Sequence, residues 1–199
     1  MDSKTRKEKD RKLLEGKIVD AAVEIIAEEG FNRLSIRKIA NRIGYAPGTI
    51  YNYYKNKDEI LDYIYHTVYL EVVEEVKATL AVSRNLPESE QLRMSSLIFI
   101  YTMTKYPEKF KVVMLRTKED RSDDEPTSDD SQGIDILRKL ILDGKEKGVF
   151  QSATEVSAEL ILVALMGFVF HIVNNDISME QQGKRMAEAY VDFLISGLN

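Results

Sequence analysis

The chain has 199 residues, 44 % of them apolar and 31 % charged, a balance that excludes a disordered chain and predicts a well-cored globular one. It contains no cysteine, which excludes disulfides, thiolate chemistry and zinc sites built on Cys. The net charge of −5 hides an asymmetry: residues 1–57 hold 13 Lys/Arg against 8 Asp/Glu, whereas residues 58–199 hold 15 against 25. A basic end on an acidic body fits an electrostatic footprint for a polyanion, confined to the N-terminal quarter. MDSKTRKEKDRK lacks the apolar run of a signal peptide. The longest apolar stretch, Leu160 to Val173, is shorter than the roughly 20 residues that cross a bilayer. A cytoplasmic protein without a membrane partner is expected.

In chain order, residues 1–12 are a basic arm expected to fray. Its Lys4, Arg6, Lys7, Lys9, Arg11 and Lys12 are either a solvated charge run or a set of phosphate contacts. From Leu13 to Glu29, Ile18, Ala21, Ala22, Ile25 and Ile26 recur at helical spacing. Gly30 is placed as a glycine that leaves that helix in the left-handed conformation. Ser35 offers an N-cap to a second helix with the stripe Ile36, Ile39, Ala40 and Ile43, and Gly44 ends it. Pro47 suits the first turn of a third, short helix that carries Ile50, Tyr51 and Tyr54. Asn56 with Glu59 three residues on reads as a capping arrangement. From Asp58 the positions Leu61, Ile64, Val68, Val72, Val76 and Leu80 predict a helix of about 25 residues, roughly 37 Å long.

Asn85-Leu86-Pro87 breaks the pattern. An apolar helix follows over 88–105, then a short one from Pro107. The segment 117–133, TKEDRSDDEPTSDDSQG, has seven acids and almost nothing apolar, and is expected as a flexible acidic surface loop. Ile134 to Lys147 is amphipathic and ends at Gly148. Thr154 is placed to cap a helix running through Val173 that is apolar on nearly every side and must be covered all round, by the core and by a second subunit. The last helix, Met179 to Leu198, is one-sided. No strand alternation persists, so the fold class is all-α.

Catalytic patterns are absent: there are two histidines, far apart, and no nucleophile-elbow, zinc-protease, P-loop or dinucleotide signature. No enzyme, cofactor or metal site is expected. The helix–Gly-turn–helix over 35–54 is different, because two short helices joined by a tight turn can lay the second in the DNA major groove. Ser35 to Lys57 carries Arg37, Lys38, Arg42, Lys55 and Lys57 and no acid. Gly48 and Thr49 are small enough for the backbone to approach a groove, while Tyr51, Tyr53 and Tyr54 bring rings and hydroxyls.

These residues, Ser-Ile-Arg-Lys-Ile-Ala followed by Ile-Gly-Tyr-Ala-Pro-Gly-Thr-Ile-Tyr-Asn-Tyr-Tyr-Lys-Asn-Lys, resemble the DNA-binding signature of TetR-type (TetR/AcrR-like) transcriptional regulators over about residues 13–62. Beyond that stretch the likeness is one of architecture. The resemblance implies that Arg37 reaches a base or a nearby phosphate, that Pro47, Gly48 and Tyr51 face the groove, and that Thr49, Tyr53 and Lys57 bind backbone phosphates. Ala46 departs from the family's usual capping residue, which removes a bond worth about 1 kcal/mol.

The organisation expected is a three-helix DNA-binding domain over 13–57, extending into the long helix to about residue 72, and a helical effector-binding and dimerisation domain over 58–199. The function expected is a homodimeric, ligand-responsive repressor on a palindromic double-stranded operator. Tyr65, Tyr69, Phe99, Tyr101, Met103, Met114, Phe168 and His171 are candidates for an apolar pocket taking a small apolar or aromatic effector. Leu165, Val169, Met186, Tyr190, Phe193 and Leu194 are candidates for the dimer interface. Two alternatives stand beside this: an activator or architectural DNA binder without an effector, and a helical protein–protein adaptor with a degenerate helix–turn–helix.

Overall fold

The computed structural model describes residues 3–115 and 131–199, and among them the chain is helical with no strand. It divides into two compact units. The first takes the chain up to Thr67 and returns at Glu108; the second takes Val68–Pro107 and the chain from Ser131 onward.

The first unit opens with α1, Ser3–Glu29. It starts ten residues before the apolar stripe, so residues 3–12 are helix where a frayed arm is expected. Their Lys, Arg and Glu residues are good helix formers with no Gly or Pro among them, and Arg11 pairs with Glu15 one turn on at 3.1 Å. From Leu14 inward the stripe is buried through Ile18, Ala22 and Ile25. Gly30 has φ +87° and ψ 161°, a positive-φ conformation open to glycine, with a ψ outside the left-handed helical form expected.

Ser35 caps α2, Ile36–Ile43, its Oγ accepting from the Lys38 N–H at 3.3 Å. Gly44 ends the helix at φ +75°, ψ 30°, a conformation strained for residues with a Cβ. It lets the Tyr45 N–H reach the Ala40 carbonyl at 2.9 Å. The third helix, α3, is only Pro47–Tyr51, and Ala46 gives it no side-chain cap. Ile18, Ile25, Ile39, Ile50, Ile60, Leu61 and Ile64 form the centre of the unit's core, each worth about 1.5–3 kcal/mol on full burial. Val112 of α6, Pro107–Leu115, joins them.

The long helix α4, Lys57–Ser83, is opened by Asn56, whose Oδ1 accepts from the Glu59 N–H at 2.8 Å, while the Glu59 carboxylate accepts from the Lys55 N–H. Its 27 residues make a rod of about 40 Å. The rod belongs to the first unit up to Thr67 and to the second from Val68.

The second unit adds α5, Glu88–Thr104, α7, Gln132–Glu146, α8, Ser157–Asn174, and α9, Gln182–Ser196. Leu92, Ile100, Ile141, Phe150, Leu165, Val169, Ala187 and Val191 are buried in it. Ion pairs join its helices at the surface: Arg93 to Asp192 at 2.7 Å, Arg138 to Glu159 at 2.6 Å, and Lys147 to Glu88. The acidic loop expected over 117–133 lies outside the described residues as far as 130, and Gln132 and Gly133 belong to α7. Thr154 does not cap α8, which begins three residues later; the Ser157 hydroxyl instead accepts from the Thr154 N–H at 2.8 Å. α8 has 18 residues and is long and apolar enough to cross a membrane by length and composition. One of its faces is buried within the unit through Ile161, Leu165, Phe168 and Ile172.

Candidate nucleic-acid interface

Burying Ile39, Ala40 and Ile50 fixes which sides of α2 and α3 remain outside. Arg37, Pro47, Gly48 and Tyr51 are exposed, and Thr49, Tyr53 and Lys57 are half-buried. All seven belong to the first unit. A Cβ added at Gly48 would meet nothing within 4 Å, so the start of α3 is open on its outer side. Lys57 is the first residue of α4, where the helix's free N–H groups add to its positive charge.

Charge in this stretch is redistributed by α1, which sequence reasoning missed. Lys38 is ion-paired with Glu29, and Arg42 forks onto Glu28 at 3.0 and 2.6 Å and reaches Glu24 at 3.4 Å. The hydrogen bond from Arg42 holds the Glu28 carboxyl below its ordinary value, and the same bond raises the guanidinium. Two of the five basic side chains therefore fasten α2 to α1. Arg37, Lys55 and Lys57 are in no ion pair among the described residues. The signal available in sequence was the cluster Glu24, Glu28 and Glu29 on the last turns of α1.

Two tyrosines divide the labour at the corner between α3 and α4. Tyr54 is buried in the core, its ring edge-on to Tyr63 at 5.8 Å, and its hydroxyl has no hydrogen-bond partner among the described residues. Burial pushes that phenol well above its ordinary value. Tyr53 is only partly buried against the edge of that core, and the Arg11 guanidinium stands 5.9 Å over its ring, a cation–π contact that ties the N-terminal turns of α1 to the corner.

The candidate pocket residues are drawn from both units. Tyr65 and Met114 belong to the first unit, and Tyr69, Phe99, Tyr101, Met103, Phe168 and His171 to the second. Met114 and His171 are exposed. The His171 Nδ1 lies 3.3 Å from the Asn175 side-chain amide, on the outer face of α8. Phe168 stacks on Tyr190 at 4.7 Å, whose hydroxyl donates to the Ala164 carbonyl. Tyr69 accepts from the Gly133 N–H at 2.9 Å, fastening the start of α7 to α4. Among the described residues no group of three His, Cys, Asp or Glu stands together as a metal site.

The candidate interface residues also divide. Leu165 and Val169 are 3 % and 0 % exposed and pack inward, which corrects their assignment to a surface. With apolar residues on every side, composition cannot tell which face of α8 turns in. The outward face carries Leu160, Val163, Gly167 and Phe170, with Val163 69 % exposed. On α9, Phe193 is 72 % exposed, Met186, Tyr190 and Leu194 are half-buried, and Ala187 and Val191 face the core.

Residues 18–64 match the family of bacterial regulatory proteins, tetR family. Over 44 residues the chain is 57 % identical to the fatty acid metabolism regulator protein of Bacillus subtilis, a match covering 22 % of this chain and 23 % of that protein. The chain spans between 23 % and 33 % of the length of the curated relatives it matches. Among solved structures it is similar to the fatty acid degradation regulator FadR of Bacillus halodurans, with 25 % identity over 93 % of this chain and 96 % of that one, at a TM-score of 0.71. It shares its fold with FadR of Bacillus subtilis, solved in complex with stearoyl-CoA, with 23 % identity over 92 % and 98 % of the two chains and a TM-score of 0.69.

Proposed function

We propose that this chain, whose residues 18–64 match the tetR family of bacterial regulatory proteins, is a transcriptional repressor that binds a palindromic operator as a homodimer and releases it when an acyl-CoA occupies its second unit. The observation that carries the DNA-binding part is the outer side of α2 and α3. Arg37, Pro47, Gly48 and Tyr51 are exposed there together, over a core that holds both short helices rigid. In this reading Arg37 and Tyr51 meet base edges, Pro47 and Gly48 allow close approach, and Thr49, Tyr53 and Lys57 hold backbone phosphates. With Lys38 and Arg42 engaged by α1, backbone affinity rests on fewer charges than the sequence count suggests.

The exposed apolar faces of α8 and α9 support pairing with a second copy, since an apolar stripe at helical spacing on both helices suits a four-helix interface about a two-fold axis. The dimer then presents two copies of α3 to two half-sites. The effector class is supported by the relatives named as fatty-acid regulators, one of them held with stearoyl-CoA. A long acyl chain agrees with the apolar ligand expected from composition. Effector and operator are linked through the continuous helix α4, and a coupling of about 1–3 kcal/mol between them runs in both directions. The protein works in the cytoplasm, where its operator is.

The test is to select bound fragments from the host genome and measure affinity for the enriched duplex with and without stearoyl-CoA. Tyr53→Ala and Lys57→Ala should weaken binding to all sequences alike, whereas Arg37→Ala should relax sequence preference. Release by stearoyl-CoA but not by free CoA supports the effector class. Unchanged affinity in all three variants removes the assignment and favours the protein–protein adaptor.

A further inference from the structure

We propose that the N-terminal turns of α1 are a second DNA-contacting element, a rigid track in which Lys7 and Arg11 lie along the phosphate backbone beside Tyr53. This rests on the DNA-binding reading above and extends its footprint beyond α2, α3 and the start of α4.

Leu14 is the outermost buried residue of α1; residues 5–13 are all exposed. The helix thus overshoots the core by about ten residues, roughly 15 Å at 1.5 Å per residue. No apolar residue among 3–12 gives that overshoot a packing role. What it carries is charge: residues 3–12 hold six Lys/Arg against two Asp/Glu.

Register decides where those charges point. Arg11 and Lys7 stand three and seven residues before Leu14, so they continue the stripe that Leu14, Ile18 and Ile25 bury. The stripe changes from apolar to basic at the point where the helix leaves the core. Arg11 over the Tyr53 ring at 5.9 Å fixes the side on which it emerges, next to a residue assigned above to the phosphate backbone. Lys7 lies one turn, about 6 Å, further out on that side. Facing acids are few: Glu15 shares Arg11 at 3.1 Å, and Glu8 and Asp10 sit on the flanks of the stripe. A helix tethered in this way presents its charges without the ordering loss that a frayed arm bears.

The test uses the full-length protein and a duplex enriched from a random library, with affinity measured across a salt series. Each phosphate contact removed lowers the slope of log affinity against log salt by about 0.9. Lys7→Ala should therefore lower it by about two in a dimer, reduce affinity roughly ten-fold at low salt, and leave sequence preference unchanged. Lys7→Ala/Arg11→Ala should lower the slope further. Lys7 lies beyond the core, so its melting curve should match the parent's, whereas Arg11 serves also as the tether. Lys139→Ala, which removes the same charge from the exposed side of α7, should leave the slope unchanged. A slope unaltered by Lys7→Ala, or lowered equally by Lys139→Ala, overturns the proposal while the DNA-binding reading stands. An unsubstituted protein that enriches no duplex overturns both.

Discussion

Arg42 on α2 grips Glu28 on α1 with both ends of its guanidinium, at 3.0 and 2.6 Å. Such a fork has the planar geometry that gives Arg–carboxylate pairs their directionality. Its effect is to set the roll of α2, and with it the direction in which Arg37 points. Arg42→Ala should lower the melting temperature by only a few degrees, because the pair is solvent-exposed. Arg42→Lys should not restore the loss in full, since an ammonium cannot fork. DNA affinity should fall less for Arg42→Ala than for Arg37→Ala at equal charge change. Thermal melts and gel shifts on the three variants check this, and equal losses of affinity would count against it.

The two glycines of the motif should separate stability from binding. At Gly44, φ is +75° with open space around a Cβ, so Gly44→Ala is opposed by backbone strain alone, about 1 kcal/mol. Gly48 has ordinary helical φ and equally open space. Gly48→Ala should therefore fold as well as the parent or slightly better, while DNA affinity falls because the added methyl holds α3 off the groove. Chemical denaturation beside anisotropy titrations reads both quantities. A Gly48→Ala protein that binds undiminished would remove close approach from the account.

For α8, exposure predicts opposite outcomes for residues two apart. Val163→Glu puts a charge on the outward face and should yield a folded monomer in analytical ultracentrifugation, with operator affinity reduced. Leu165→Glu puts it in the core and should destabilise the chain by at least ~3 kcal/mol. A dimer that survives Val163→Glu would move the interface elsewhere.

Glu88, 8 % exposed at the start of α5, is ion-paired with Lys147 past the end of α7. The hydrogen bond from Lys147 lowers its pKa below the ordinary 4.5. A carboxyl depressed in the folded state contributes stability that is complete above its unfolded pKa and is lost as pH falls through the folded one. Melting temperature should therefore fall as pH drops below about 4.5, and Glu88→Gln should flatten that fall while lowering stability at neutral pH. Lys147 is raised by the same bond, so its contribution is full below its unfolded pKa and lost only as pH rises through the elevated folded value. Parallel curves for parent and Glu88→Gln would show that the pair carries none of the dependence.

Local signals were readable where one residue decides a backbone conformation or a cap. Ser35, Gly44, Pro47, Asn56 and Glu59 each act within four residues of themselves, and the boundaries of α2, α3 and the start of α4 follow from them. The apolar stripes of α1 and of the first half of α4 were equally plain, because polar residues surround them. The sequence by itself therefore determined an all-α chain, a short helix pair with an acid-free surface, and a charge asymmetry that sets that surface against an acidic body.

Tertiary structure decided what periodicity leaves degenerate. A helix apolar all round has no readable inside, so burying Leu165 and Val169 while leaving Val163 and Phe170 outside depends on packing against neighbours. Acids on α1 and bases on α2 are neutral facts in sequence until two helices cross, and the crossing turns Lys38 and Arg42 into fasteners. A run of Lys and Arg with no apolar partner reads as a loose arm. Joined without a break to α1 and tethered at Tyr53 by Arg11, it becomes a helix with a fixed face, because the core further along the same rod sets its register.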